Sequence, residues 1–266
     1  MPPQSLTQPN NMNRIEKLMK TERKVLSIYF TAGYPQLDDT IEILKELERS
    51  GVDMVEIGLP FSDPLADGPT IQKSSEKALA NGMSTELLFS QLNEVRRHIS
   101  IPLLLMGYFN PILQYGPEAF FSKCRDVGID GLIIPDLPLS EYNRSYRHLF
   151  EQHGLLNIFL ITPQTSGARI LEIDTASNGF IYMVSSASTT GSNTAAGPEQ
   201  GAYFDRISRM ALENPQIVGF GIRDAESFSH ATTYASGAII GSAFIEMLKE
   251  RGIPGISQFI RSIRPL

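Results

Sequence analysis

The sequence predicts an α/β fold, a single (β/α)8 TIM barrel, and three observations support this prediction. The chain has 266 residues, and one such barrel needs about 250. From Met12 onward, short aliphatic runs alternate eight times with longer segments of helical period. These runs carry almost no charge, as expected of parallel strands that helices cover on the outside. A doubly wound open sheet would show the same alternation, but the number of units favours the barrel.

The predicted strands are β-branched or aliphatic runs. In chain order they are Leu26–Phe30, Met54–Gly58, Pro102–Met106, Gly131–Pro135, Asn157–Ile161, Phe180–Val184, Ile217–Gly221 and Gly237–Gly241. Amphipathic segments between them predict helices at Asp38–Ser50, Ser84–Ile99, Gly116–Val127, Ser140–His153, Ser166–Ala176, Tyr203–Glu213, Asp224–Tyr234 and Ser242–Arg251. We assign residues 1–12 to a flexible N-terminal tail and residues 13–266 to one barrel domain, because neither a long linker nor a change in composition divides the chain.

Composition and charge exclude several classes of protein. Hydrophobic residues make up 42% and charged residues 20% of the chain, as in an ordinary globular protein. A net charge of −6 and the absence of a Lys/Arg run argue against a nucleic-acid-coating protein. No stretch supplies about 18 continuous apolar residues, so we expect no membrane span. A single cysteine, Cys124, and an N-terminus unlike a secretory signal predict a cytoplasmic location.

Glu56 is the first candidate for chemistry, because it stands inside the apolar strand MVEIG. If Val55 and Ile57 pack on the helices, strand alternation points Glu56 into the barrel. Burial there would raise the pKa of its carboxyl group, so that it could hold and deliver a proton near neutral pH. The alternative is a buried ion pair with a neighbouring strand, but no predicted strand contains Lys or Arg.

The loop GLPFSDPLADGPTIQ after the second strand is rich in proline, which restricts it to few conformations. It holds Asp63 and Asp67 in fixed places at the carboxyl end of the barrel, where the active sites of this fold lie. Aspartate before Pro or Gly also commonly caps turns through its own side chain. At least one of the two is therefore structural, and spacing alone does not choose between them.

Two glycine-containing loops near the end of the chain predict a phosphate site. They are GFGIR after the seventh strand and GAIIGSAF at the eighth, where Ser242 opens a helix. Glycine lets backbone N–H groups approach an anion, and a helix N-terminus attracts negative charge. Turn glycines with an N-cap serine would explain either loop alone, but both together favour phosphate at the usual place for this fold.

The segment Ser185–Pro198 after the sixth strand is long, uncharged and composed of small residues. Such a segment can close over a ligand as a lid, or it can be a surface loop without a role. Tyr182, just before it, faces either the pocket or the core. The glycine patterns lack a dinucleotide fingerprint and a phosphate-loop lysine, and no cluster has zinc-ligand spacing, so we expect no nucleotide cofactor and no metal in this chain.

Together these segments resemble the tryptophan synthase α subunit family. The resemblance rests on Glu56 in the second strand, PFSDPLADGPTIQ after it, PDLP after the fourth strand, and GFGI followed by GSAF. It covers the chain from Asn13 to about Ile263. It implies a lyase of tryptophan biosynthesis that cleaves indole-3-glycerol phosphate to indole and glyceraldehyde 3-phosphate by a retro-aldol reaction. Indole would then pass to a β subunit that carries pyridoxal phosphate, in an α2β2 heterotetramer.

The resemblance also implies roles for individual residues. Glu56 would be the general acid and base, and Asp67 rather than Asp63 the second catalytic carboxylate. The remaining assignments are Tyr29, Tyr182 and Thr190 for substrate binding, Gly191, Gly221, Gly241 and Ser242 for phosphate binding, and Asp63 with the segment around Phe109, Asn110 and Pro111 for contact with the β subunit.

The chain departs from the family pattern in two places. The lid reads Ser188-Thr189-Thr190-Gly191 and reaches Ala195, where the family usually has Gly-Val-Thr-Gly followed by an arginine. The loop after the first strand has Tyr34, where the family commonly has Asp. The altered lid motivates one alternative, a catalytically weak subunit that binds the phosphate ligand and mainly activates its partner. Another phosphate-binding barrel enzyme, such as a sugar-phosphate isomerase, is a separate alternative.

Overall fold

Nine parallel strands form one sheet that curls into a nearly closed barrel. The computed structural model describes residues 12–185 and 198–264. The strands are β1 (Val25–Thr31), β2 (Met54–Gly58), β3 (Leu103–Met106), β4 (Gly131–Ile133), β5 (Leu156–Ile158), β6 (Leu160–Ile161), β7 (Ile181–Val184), β8 (Gln216–Gly219) and β9 (Gly237–Ile240). Their order in the sheet is β5-β4-β3-β2-β1-β9-β8-β7-β6.

The two edge strands of this sheet, β5 and β6, are consecutive in the chain. β5 pairs with β4, β6 pairs with β7, and Phe159 alone separates β5 from β6. The carbonyl of Phe159 accepts a hydrogen bond from the Tyr182 backbone N–H at 2.9 Å. β5 and β6 therefore occupy one position of the barrel, which has the eight positions that the sequence predicted. The predicted fold class is confirmed.

Helices connect the strands and cover the outside of the barrel. They are α1 (Arg14–Met19), α2 (Thr40–Arg49), α3 (Pro69–Ala80), α4 (Thr85–Leu92), α5 (Phe109–Tyr115), α6 (Pro117–Val127), α7 (Leu139–Glu141), α8 (Arg147–His153), α9 (Gly167–Ala176), α10 (Pro198–Ser208), α11 (Ala225–Tyr234), α12 (Ser242–Arg251) and α13 (Ile256–Ile263). A π-helical turn joins α7 to α8. Among these described helices, none is long and apolar enough to cross a membrane.

The helix predicted at Tyr203–Glu213 has the wrong limits, since α10 begins and ends five residues earlier at each end. The carboxylate of Asp174 accepts hydrogen bonds from the backbone N–H groups of Glu213 and Asn214 at 2.8 and 2.9 Å. These bonds hold the end of the predicted range in a loop, because the same N–H groups cannot also bond within a helix.

Other helix predictions also differ from the structure. The helix predicted at Ser84–Ile99 ends as α4 at Leu92, and a separate 3₁₀ turn follows at Val95–Arg97. Four described helices, α1, α3, α5 and α13, lie outside every predicted range. α1 and α5 have six and seven residues, too short to show a clear amphipathic period.

Helix α1 closes the amino end of the barrel. Its Ile15 is fully buried, and a Cβ atom on Gly131 or Gly179 would lie 3.1 or 3.2 Å from that side chain. The Asn13 side-chain amide donates to the backbone carbonyl of Asp130 at 2.8 Å, which fixes the start of the helix against the barrel. The open end is therefore the carboxyl end of the strands, where enzymes of this fold keep their active sites.

Candidate active site

Glu56 lies in the middle of β2 and is fully buried. The hydroxyl of Ser27, on the neighbouring β1, donates a hydrogen bond to its Oε1 at 3.0 Å. Its Oε2 is buried and has no hydrogen-bond partner among the described residues. No Lys or Arg in the described part of the chain forms an ion pair with Glu56, so the ion-pair alternative fails there.

The environment of Glu56 favours its protonated form. Burial raises the pKa of its carboxyl group from an ordinary value of 4.5 to about 8, and the hydrogen bond from Ser27 opposes that rise. At pH 7 the carboxyl group of Glu56 is therefore mostly protonated, and it can act as a general acid toward a bound molecule.

Two tyrosines lie beside Glu56, and each rests on a glycine of the next strand. Tyr29 on β1 pairs in register with Glu56, and a Cβ atom on Gly58 would collide with its hydroxyl. Tyr182 on β7 lies in the same way over Gly219 of β8. Both tyrosines are buried, and neither glycine position can carry a side chain without moving the ring above it.

Asp67 stands in the loop between β2 and α3 and is partly buried. The hydroxyl of Tyr108 donates to its Oδ2 at 3.2 Å and accepts the backbone N–H of Ala66 at 2.9 Å. Burial raises the pKa of Asp67 from an ordinary 3.8 to about 6, and the Tyr108 hydrogen bond lowers it. Asp67 is thus mostly ionised at pH 7, in contrast to Glu56.

The two carboxylates and the two tyrosines surround one space. Burial raises the pKa of Tyr29 and of Tyr182, and the negative charges of Glu56 and Asp67 raise both further. Charges act on each other noticeably only where the groups are near and water is largely excluded. Glu56, Asp67, Tyr29 and Tyr182 therefore lie around one space at the carboxyl end of the barrel.

The predicted phosphate loops leave two neighbouring strands, β8 and β9, at the carboxyl end. Gly221 has a φ of +74°, a backbone conformation that favours glycine. Gly241 precedes α12, which begins at Ser242, and no side chain in the described structure caps that helix. A Cβ atom on Gly241 would lie 3.6 Å from Tyr29, so this helix end faces the same space as the carboxylates.

Some predicted site residues lie elsewhere. Asp63 is exposed, and its carboxylate accepts a hydrogen bond from the Ser62 hydroxyl at 2.5 Å. Thr190 and Gly191, with most of the predicted lid, lie outside the described residues. The described start of that segment is Ser185, whose hydroxyl donates to the backbone carbonyl of Phe220 at 2.6 Å.

Sequence reasoning missed Ser27 and Tyr108, the hydrogen-bond partners of the two carboxylates. Ser27 is a polar residue in an apolar strand, two positions before Tyr29 and on its face, and that signal could have identified it. Tyr108 carries no comparable signal, because its contact with Asp67 joins two loops 41 residues apart. The described part of the chain contains no group of three His, Cys, Asp or Glu side chains that could hold a metal ion.

The carboxyl end of this (β/α)8 barrel holds one protonated and one ionised carboxyl group beside an uncapped helix N-terminus. This arrangement is typical of an enzyme that moves protons on a phosphate-bearing substrate. Comparison with known proteins makes this specific. The family model of the tryptophan synthase alpha chain matches residues 15–261, and the chain therefore belongs to that family. Its activity is the cleavage of indole-3-glycerol phosphate, a lyase reaction of tryptophan biosynthesis, and the alternative of a catalytically weak subunit is not favoured.

Individual relatives agree with this assignment. The tryptophan synthase alpha chain of Flavobacterium psychrophilum is 62% identical over 252 residues, which are 95% of this chain and 100% of that one. The corresponding chain of Christiangramia forsetii is 62% identical over 255 residues, which are 96% and 100% of the two chains. The crystal structure of tryptophan synthase subunit alpha from Legionella pneumophila matches with a TM-score of 0.85 and 34% identity, over 95% of this chain and 97% of that one.

Proposed function

We propose that Glu56 is the general acid and base of the cleavage and that Asp67 is a fixed anion beside the indole ring. The observation that supports this most strongly is the order of the two pKa values. Near pH 7, Glu56 with a pKa of about 8 holds a proton, and Asp67 with a pKa of about 6 has lost its own. The reaction needs one group in each state.

In the proposed reaction, Glu56 gives one proton and takes one proton back, so it ends in its starting state. Protonated Glu56 gives its proton to C3 of the indole, and positive charge develops toward the ring nitrogen, where ionised Asp67 stabilises it. Glu56, now a carboxylate, accepts the proton of the hydroxyl on the adjacent glycerol carbon. As that carbon becomes an aldehyde, its bond to C3 breaks and the electrons return to the ring. Indole and glyceraldehyde 3-phosphate leave, and Glu56 is protonated again.

The remaining site residues hold the substrate in this proposal. Tyr29 and Tyr182 stay neutral and form the walls beside Glu56, since their pKa values are raised. The phosphate binds at Gly221, Gly241 and Ser242, because the free N–H groups at the start of α12 point to that end of the barrel. The family resemblance adds Thr190 and Gly191 to substrate and phosphate binding, respectively.

We also propose that this chain docks on a tryptophan synthase β subunit through Asp63 and the segment at Phe109–Pro111, which forms the first turn of α5. These two segments adjoin, because the rings of Phe61 and Tyr108 lie 5.2 Å apart. Since the Tyr108 hydroxyl donates a hydrogen bond to Asp67, a partner on this surface would act on Asp67 through Tyr108.

Three further expectations complete the proposal. The complex is an α2β2 heterotetramer, the pyridoxal phosphate lies in the β subunit, and the complex works in the cytoplasm. The last expectation rests on the single cysteine, Cys124, which is buried as a free thiol in α6.

The test is release of indole from indole-3-glycerol phosphate by the purified chain, alone and with a β subunit. Glu56→Gln should reduce cleavage by about 10²- to 10⁴-fold, because the amide of Gln has no acidic proton to give. Asp67→Asn should also reduce it strongly. Glu172→Gln on α9 and Asp126→Asn on α6 are matched controls on the exposed surface. Normal cleavage by Glu56→Gln would contradict the proposal, and stimulation of the β reaction without any cleavage by the unmutated chain would favour the weak-subunit alternative.

A further inference from the structure

Ser27 is the hydrogen-bond partner of Glu56 within the described residues. Both side chains are fully buried, on adjacent parallel strands. Tyr29 on β1 pairs in register with Glu56 on β2, and Ser27 lies two residues before Tyr29 on the same face of β1. The Ser27 hydroxyl therefore reaches the Glu56 carboxylate diagonally across the two strands. A buried serine hydroxyl usually bonds to a nearby backbone carbonyl, whereas this one bonds to an acidic side chain at 3.0 Å.

The hydrogen bond makes the two carboxylate oxygens of Glu56 unequal. Oε1 accepts the Ser27 proton, whereas Oε2 is buried without any partner in the described structure. A buried polar atom without a partner carries a free-energy cost, which a bound substrate can remove. A carboxyl group held at one oxygen also has less rotational freedom than one held at neither.

We propose that Ser27 is a positioning residue for the cleavage: by holding Oε1, it presents Oε2 to the substrate as the atom that gives and takes the proton. The inference rests on the proposed function of Glu56 and adds to it which oxygen acts and which neighbour selects it. No proton passes through Ser27, and its hydroxyl is unchanged at the end of the reaction.

This role has consequences that a purely structural role lacks. The Ser27 hydroxyl stabilises the anion of Glu56, so its removal raises the pKa of that carboxyl group above the value of about 8 that it has with Ser27 present. Removal also lets the carboxyl group rotate, so the proton is less often placed at C3. The rate of the chemical step should fall, and the pH range in which Glu56 is protonated should extend upward.

The experiment compares Ser27→Ala with the unmutated chain and with Ser27→Thr, which keeps the hydroxyl. Ser177→Ala is the matched control, since it removes another buried serine hydroxyl, which donates to the backbone carbonyl of Ile173 at 2.7 Å. For Ser27→Ala we expect kcat to fall about ten-fold with KM little changed, and the alkaline limb of the kcat profile to move up by about one pH unit. Ser27→Thr should restore both, and Ser177→Ala should alter neither.

A second measurement does not depend on turnover. The carboxyl group of Glu56 can be titrated by ¹³C NMR and assigned by the loss of its signal in Glu56→Gln. Its midpoint should be higher in Ser27→Ala than in the unmutated chain. This titration decides the question if Ser27→Thr does not fold, because Thr adds a methyl group at a fully buried position.

The outcomes separate the two proposals. If the unmutated chain cleaves the substrate and Ser27→Ala lowers thermal stability while leaving kcat, the pH profile and the Glu56 titration unchanged, Ser27 is structural and the inference is overturned alone. If the unmutated chain releases no indole with or without a β subunit, the proposed function fails and the inference fails with it.

Discussion

We expect the hydroxyl of Tyr108 to set the acid limit of activity, and Tyr108→Phe removes that hydroxyl alone. In the structure it donates to Asp67 at 3.2 Å and accepts the backbone N–H of Ala66 at 2.9 Å. The substitution therefore removes a hydrogen bond to an anion that must stay ionised. It also leaves the Ala66 N–H without this acceptor.

The size of the effect follows from the length and charge of that hydrogen bond. A bond to a charged group contributes about 1.5–3 kcal/mol, and a distance of 3.2 Å places this one at the low end. That energy corresponds to about one pKa unit, upward from the present value of about 6. The ionised fraction of Asp67 would then fall about five-fold at pH 6, but only about two-fold at pH 7.

The assay is kcat/KM for indole release between pH 5 and pH 9. Tyr108→Phe should move the acid limb upward and leave the alkaline limb in place, because Glu56 is untouched. Tyr115→Phe on α5 is the matched control, since it removes the hydroxyl of a tyrosine whose ring packs on Phe89 and Phe120. An unchanged acid limb in Tyr108→Phe would mean that either the hydrogen bond or the ionisation of Asp67 is irrelevant to the rate.

Three other substitutions test the site through stability and binding. Glu56→Gln should stabilise the fold by up to about 3 kcal/mol at pH 7 in urea unfolding. The folded pKa of about 8 exceeds the ordinary 4.5, so the wild-type chain loses stability as pH rises between these values and the variant does not. Gly219→Ala should displace Tyr182, because the new Cβ collides with its ring, and should raise KM for the substrate about ten-fold. Gly221→Ala should cost about 1 kcal/mol of stability at its φ of +74°, and should weaken binding of glycerol 3-phosphate measured by calorimetry.

Each of these predictions has a control that makes the same type of substitution at a position outside the candidate site. Glu172→Gln on the outside of the barrel should leave stability almost unaltered between pH 5 and pH 8. Gly201→Ala in α10 adds a Cβ atom that meets nothing within 4 Å, so KM should not change. Gly154→Ala imposes a similar backbone cost at a φ of +66° with open space around it, and phosphate binding should stay normal. A loss of binding in Gly154→Ala equal to that in Gly221→Ala would mean that stability, not contact, explains the result.

The strands of the barrel were predictable because each is a short apolar run between polar segments. MVEIG, for example, is both the predicted and the observed extent of β2. Helix limits were harder, because long-range contacts decide them. The end of α10 depends on the carboxylate of Asp174, which lies 39 residues before Glu213 in the chain, and no local pattern reports that contact.

The sequence identified the two candidate carboxylates of the site more readily than the residues that surround them. Glu56 is a charged residue in an apolar strand, and alternation places it in the barrel once Val55 and Ile57 are assigned to the helix-facing side. Asp67 required the family resemblance, since Asp63 has similar loop surroundings, and the structure separates the two by exposure. The contact of Tyr108 with Asp67 depends on how two loops pack, which the sequence does not encode locally.

The pH dependence of kcat/KM for indole release by the unmutated chain and by Asp67→Asn tests the roles of the two carboxylates most directly. We expect a bell-shaped profile of kcat/KM, with limbs near pH 6 and pH 8, from ionised Asp67 and protonated Glu56. The substrate phosphate also titrates at about pH 6 and could cause an acid limb of its own. If Asp67 causes the limb, the low residual activity of Asp67→Asn should lack it. If kcat/KM instead keeps rising through pH 9, Glu56 acts only as a carboxylate, and its role as a proton donor is wrong.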